Sequence, residues 1–136
     1  MRRLLPLLTL SAAFVCGTAA AAPQACPAGL RPATTAEIFF GRDMPGTGHV
    51  SDADWSRFVD AEVMPRFADG LSVDDVYGQF RERNGPFVRQ ASKALLIVLT
   101  GAPGEHQSLD QVREAYKQRF HQQPGMVVEQ PACIAF

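Results

Sequence analysis

Six apolar residues run together at positions 94–99, inside the stretch SKALLIVLTG, between two segments whose apolar residues recur at helical spacing. A run this short cannot span a membrane, so it reads as a strand interior to a sheet. Alternation along a strand sends Ala94, Leu96 and Val98 to one face and Leu95, Ile97 and Leu99 to the other. Both faces of this strand need cover, and the question of function reduces to what covers each one.

The rest of the pattern supplies the neighbours. Residues 35–40 (TAEIFF) form a first strand ended by Gly41, and residues 42–50 form a loop punctuated by Pro45, Gly46 and Gly48. Ser51, with Asp54 three residues on, is a capping box that opens a helix, and Trp55, Phe58, Val59 and Val63 give that helix one apolar face. Pro65 stops it. Asp69-Gly70 turns the chain into a largely polar second strand, 71–83, and Asn84-Gly85 is a hairpin turn into the apolar strand. A second helix is predicted from Ser108, capped with Gln111, carrying Leu109, Val112, Tyr116 and Phe120 on one face. Pro124-Gly125 closes it, and residues 126–136, with Pro131 inside, form the last strand.

Strand, helix, strand, strand, helix, strand is the split βαβ order of a ferredoxin-like α+β fold. It predicts a four-stranded antiparallel sheet with two helices on one face. The apolar third strand belongs in the centre beside the first, and the proline-bearing fourth on an edge. The fourth strand then runs antiparallel to the first, which brings Cys133 near Cys26.

Composition adds the compartment. With 46% apolar and 20% charged residues, the 136-residue chain suits one globular domain. Arg2 and Arg3, an apolar stretch over residues 4–15 and small residues over 17–22 have the layout of a secretory signal peptide, residues 1–21, cleaved after Ala21. An irregular lead-in, 22–34, precedes the single domain, 35–136. Cys16 is a poor lipidation site because Phe14 and Val15 precede it. Cleavage leaves 11 of 13 basic residues against 14 acidic ones, so the formal charge moves from −1 to −3. It also leaves the cysteine pair Cys26 and Cys133, which in an exported chain reads as a disulfide. The loop-entropy argument credits such a closure with at most about 4–5 kcal/mol. The expectation is a periplasmic or secreted protein with no membrane span after cleavage.

Several strings resemble a bacterial exported domain-of-unknown-function family, number 3574. They are Glu37-Ile38-Phe39-Phe40-Gly41, Pro65-Arg66-Phe67, Asp69-Gly70-Leu71 with Val73, Gly78-Gln79-Phe80, Ser92-Lys93, and Tyr116-Lys117 with Phe120. The resemblance covers nearly all of the mature chain and implies an exported α+β domain. It implies no activity. Many members of that family look like lipoproteins, a pattern from which the residues around Cys16 depart.

Candidate chemistry is sparse. Residues 46–51 read G-x-G-x-x-S, but the loop after Phe40 is too long for a dinucleotide turn, and Asp52 and Asp54 would repel a pyrophosphate. His49, Asp52 and Asp54 lack a second histidine at zinc-ligand spacing, and His106 and His121 stand far apart, so no metal and no cofactor is expected. RNA-binding modules of this topology stack bases on aromatics of the third strand, where this chain has aliphatics; that and the acidic charge exclude nucleic acid. No G-x-S-x-G or Ser-His-Asp arrangement supports a hydrolase.

The remaining candidates are Glu37, Gln79, Arg81 and Lys93, with Arg66. A parallel alignment of strands one and three places Glu37 near Lys93, and the hairpin pairs Gln79 and Arg81 with the first half of strand three. Polar groups beside an apolar sheet face suit a pocket for a small, partly apolar ligand; the same groups also suit an ordinary cross-strand polar lattice. The sequence therefore points to a ligand-binding or interaction protein using the uncovered sheet face. Its partner is a second copy, in a homodimeric α/β-barrel arrangement, or another envelope protein. The alternative is a barrel-type isomerase or monooxygenase-like enzyme with chemistry on Glu37, Arg66 or Lys93.

Overall fold

A computed structural model describes residues 25–44, 46, 48–81 and 85–135. The expected signal peptide lies outside these residues, as does Asn84 of the hairpin turn. Strand β1 (Arg31–Gly41) leads through a loop to α1 (Asp52–Phe58), which widens without a break into a π-helical turn, Val59–Val63. Then come β2 (Leu71–Arg81), β3 (Phe87–Leu99), α2 (Glu105–Phe120) and β4 (Met126–Ile134). The strands form one sheet in the order β2-β3-β1-β4, with every neighbouring pair antiparallel. This is the ferredoxin-like α+β architecture. Among the described residues no helix is long and apolar enough to cross a membrane.

Local chemistry accounts for the boundaries. Ser51 caps α1: its hydroxyl accepts from the Asp54 N–H at 3.1 Å and donates to the Asp54 carboxylate at 2.6 Å. In the π turn the Met64 N–H reaches back to the Val59 carbonyl at 2.9 Å, just before Pro65, which has no N–H to continue the ladder.

Two elements start earlier than the sequence reading placed them. Helix α2 begins at Glu105 rather than Ser108, because the Glu105 carboxylate accepts from the Thr100 and Gly101 N–H groups at 3.0 and 2.9 Å and ties the helix to the end of β3. The capping box at Ser108 is instead part of the first turn, with the Ser108 N–H on the Gly104 carbonyl. Strand β1 begins at Arg31, inside the expected lead-in, because residues 31–34 find partners in β4 from Ile134 back to Pro131. The Cys26–Cys133 disulfide, with Cα atoms 5.6 Å apart, holds the lead-in and β4 together at that end.

The core lies between the sheet and the helices. Ala36, Ile38 and Phe40 of β1 and Leu95, Ile97 and Leu99 of β3 meet Trp55, Phe58, Val63, Leu109, Val112, Tyr116 and Phe120. Phe40 and Tyr116 stack with ring centroids 4.5 Å apart, and the Tyr116 hydroxyl donates to the Gly41 carbonyl at 2.7 Å. Where the chain re-enters β4, Gly125 is required by contact: a Cβ there would sit 2.8 Å from Ile38 Cγ2 and 2.9 Å from the Phe39 carbonyl oxygen.

The other face of the sheet carries Thr35, Glu37 and Phe39 of β1, Ala94, Leu96 and Val98 of β3, Ser72, Asp74 and Val76 of β2, and Met126 and Val128 of β4, by the pairing register. No described element lies over it.

Candidate functional site

The five residues singled out from the sequence fall in separate places. The antiparallel pairing of β1 with β3 sets Lys93 opposite Phe40 and Glu37 opposite Leu96. Glu37 and Lys93 therefore sit on opposite faces, and the parallel alignment that would have joined them is wrong. The reason is topological. The α1 crossover returns β2 parallel to β1, and the hairpin then reverses the chain, so β3 enters between them running against β1.

Lys93 lies on the helix side as one member of an ionic quartet. Its Nζ is 2.6 Å from Asp75 Oδ1 and 3.1 Å from Asp52 Oδ1. The Arg42 guanidinium lies 3.0 Å from the same Asp52 oxygen and 3.8 Å from that of Asp75, while its Nε donates to the Val50 carbonyl at 2.7 Å. Both cationic side chains are buried and both aspartates are largely exposed. The Lys93 hydrogen bond, then the Arg42 charge, holds Asp52 below the usual carboxylate range. Burial works against the Lys93 charge, but its bonds to Asp75 and Asp52 outweigh that and raise its pKa. The quartet is neutral and fully paired. It clips the start of α1 to the end of β1 and the middles of β2 and β3 and leaves neither of its cations free for a ligand.

Arg66 is also engaged: it donates to the Glu62 carbonyl and carboxylate and, at 3.1 Å, to Gln111 Oε1, joining the π turn to α2. Gln79 accepts from Arg89 at 3.2 Å across the β2–β3 hairpin, and the Arg81 guanidinium lies over the Phe87 ring, 4.4 Å from its centroid. These are the cross-strand contacts that the hairpin register implied. The enzyme reading drew on Glu37, Arg66 or Lys93, and the fold sets these three in separate places, with Arg66 and Lys93 held in ion pairs. The His49, Asp52 and Asp54 grouping is likewise dispersed: His49 contacts Asp43 at 3.4 Å, and Asp54 bonds Ser51 and Arg57.

Glu37 differs from all of these. It is half-buried at the middle of the open face, between Leu96 and Val128 in the register, with Thr35 and Phe39 on either side along β1. It has no hydrogen-bond or ionic partner among the described residues. Around it Leu96, on a central strand, keeps 38% of its surface in water, and Met126 is exposed. Toward the Asp69–Gly70 turn the same face deepens into a cavity of about 480 Å3, lined in part by Leu71, Ser72, Leu96, Val98 and Thr100.

Sequence reading missed a second feature. Strand β1 ends opposite Ser92, with the Arg42 N–H still donating to the Ala91 carbonyl at 3.1 Å; past Ala91, β2 and β3 pair only with each other, as far as Arg81 opposite Phe87. This two-stranded arm carries Tyr77 at 84%, Phe87 at 64% and Phe80 at 46% exposure. The signal was present in strand length. The hairpin strands are 11 and 13 residues long, and the sheet pairs only part of each with β1 or not at all.

Solved structures share this fold. A phage SAM lyase in complex with S-methyl-5'-thioadenosine superposes with a TM-score of 0.57 at 17% identity, covering 83% of this chain and 95% of the lyase. The apo state of a phage SAM lyase gives 0.55 at 17% identity, with coverage of 85% and 97%. CutA from Synechococcus elongatus PCC7942 gives 0.49 at 11% identity, with coverage of 77% and 86%. For the two lyase structures, at 17% identity, the likeness is one of fold. No curated protein matches the chain at a significant level. Residues 35–136 match the family described as "Protein of unknown function (DUF3574)".

Proposed function

The chain belongs to the DUF3574 family, and from the geometry of its sheet we propose that it is an exported interaction protein that packs its open face against a second copy of itself. The observation that carries this reading is Leu96: a leucine at the centre of the sheet, 38% exposed, in a field of Val98, Phe39, Val128 and Met126. Covering each of these side chains contributes roughly 1 kcal/mol at about 25 cal/mol per Å2. A contiguous apolar patch of this kind on a central sheet face marks an interaction surface. The cavity at the end of the face falls in the size range of small-molecule sites, so a small, partly apolar ligand held beside the contact belongs to the same reading. The disulfide and the secretory layout of the first residues support an oxidising, extracytoplasmic setting.

Sedimentation equilibrium on the mature, disulfide-bonded protein tests the proposal. The expected result is an associated species that Leu96→Asp converts to monomer with an unchanged circular dichroism spectrum. A wild-type protein that stays monomeric at the highest soluble concentration overturns it.

A further inference from the structure

The two-stranded arm needs its own account. A lone β-ribbon is at best marginally stable in water, yet this one displays three aromatic rings. Its register separates two surfaces. Val76, Phe80 and Val88 continue the open face, whereas Tyr77, Gln79, Arg81, Phe87 and Arg89 share the opposite surface, where the helices do not reach. That second surface is aromatic and cationic, with Arg81 already laid over Phe87.

We infer that the arm is the element with which one copy grips another: its Tyr77–Phe87 surface lies across the open face of a second copy, with its arginines answering Glu37 there. The inference rests on the self-association proposed above and names the segment and the charge pair that accomplish it.

Charge complementarity favours a second copy as the occupant. Residues 77–91 hold three arginines against one glutamate, whereas the rest of the chain from Cys26 onward has eight basic residues against thirteen acidic ones. By register the receiving face is apolar with two carboxylates, Glu37 and Asp74, and one cation, Arg31, at its far end beside the cavity, and Glu37 has no partner of its own among the described residues. Area agrees. Two aromatic rings flanked by arginine stems cover roughly 400 Å2 on each of the two surfaces in contact. A reciprocal exchange of arms then buries on the order of 1,600 Å2, the size of a stable specific interface. Desolvating Glu37 under apolar cover would be costly unless a cation came with that cover, and the arm brings two.

The test uses the full mature chain with its disulfide. A Tyr77→Ser, Phe87→Ser double variant is expected to associate at least about tenfold more weakly than wild type, as loss of central aromatic anchors does. Glu37→Lys alone, and Arg81→Glu with Arg89→Glu, are each expected to weaken association. Mixing those two charge-reversed proteins is expected to restore it as a heteromeric complex, a readout that does not depend on whether the aromatic variant folds. If wild type associates and Leu96→Asp abolishes that, but the arm variants associate as tightly as wild type and the charge-reversed proteins do not recover on mixing, the arm inference falls while the open-face reading stands. A wild-type monomer overturns the open-face reading itself.

Discussion

Leu95 and Leu96 are adjacent, chemically identical and held in the same central strand, yet one is sealed and the other is 38% exposed. The same contrast separates Phe40 from Phe39 in β1. Which face a side chain takes is a matter of parity along the strand, and which face is dry depends on where the two helices cross. The helix side is a finished core, with rings packed edge to face between sheet and helices. The open side uses the same residue types without that closure. Residue type alone does not make a core; position relative to the helices does.

The largest expected effect probes that difference at β1. Phe40→Ala removes a fully buried ring in contact with Trp55, Phe58 and Tyr116 and should cost about 4 kcal/mol of monomer stability in urea unfolding. Phe39→Ala, one residue away, should cost under about 1 kcal/mol when measured at dilution, and should instead weaken self-association. Equal losses from the two would erase the distinction between the faces.

A smaller effect separates the packed sheet from the arm. Gly125→Ala drives a methyl against Ile38, the Phe39 carbonyl and Phe40, an overpacking expected to cost about 1–3 kcal/mol. Gly78→Ala on the arm meets only ordinary contacts near 3.8 Å from Ser92 Oγ and should leave thermal stability within about 0.5 kcal/mol of wild type. Differential scanning calorimetry of the two variants checks the contrast.

Much of the fold was legible because it is written in short-range signals. Ser51 and Asp54 opened α1, the Asp69-Gly70 turn led into β2, and Pro131 kept β4 at the edge, each as local chemistry dictates. The cysteine pair was legible because the split βαβ order implies an antiparallel β1–β4 pairing, which brings Cys26 and Cys133 together. The start of α2 was hidden because Glu105 caps backward into the preceding turn, a role that forward-reading capping boxes do not reveal. The candidate site was less legible still. Whether Glu37 and Lys93 meet depends on strand direction and register, which are tertiary facts. The quartet draws Arg42, Asp52, Asp75 and Lys93 from four segments that no spacing rule connects. Lys93 looked like a ligand group because it borders an apolar run; its partners make it a structural clamp.

The smallest expected effect concerns that clamp, which belongs to the covered side but opens to water through its aspartates. Asp52 has a folded pKa below its ordinary value of 3.8. Its contribution is therefore fully present above that value and is lost as pH falls through the lower folded one. Lys93 acts at the other limit: its pKa is raised above 10.5, so its contribution holds below that value and is lost as pH rises through the folded one. Asp54, Glu105 and Glu114 are also lowered and steepen the acid limb in any variant, so the informative quantity is a difference. Urea midpoints measured from about pH 7 down to about pH 2.5 should show Asp52→Asn less stable than wild type at the neutral end, with the two curves converging as the acid limit is reached. The gap should be modest and should shrink with added salt, because the Asp52 carboxylate is mostly in water. A gap that instead widens toward low pH would mean that the quartet holds Asp52 in its protonated form, reversing the charge arrangement assigned to the clamp.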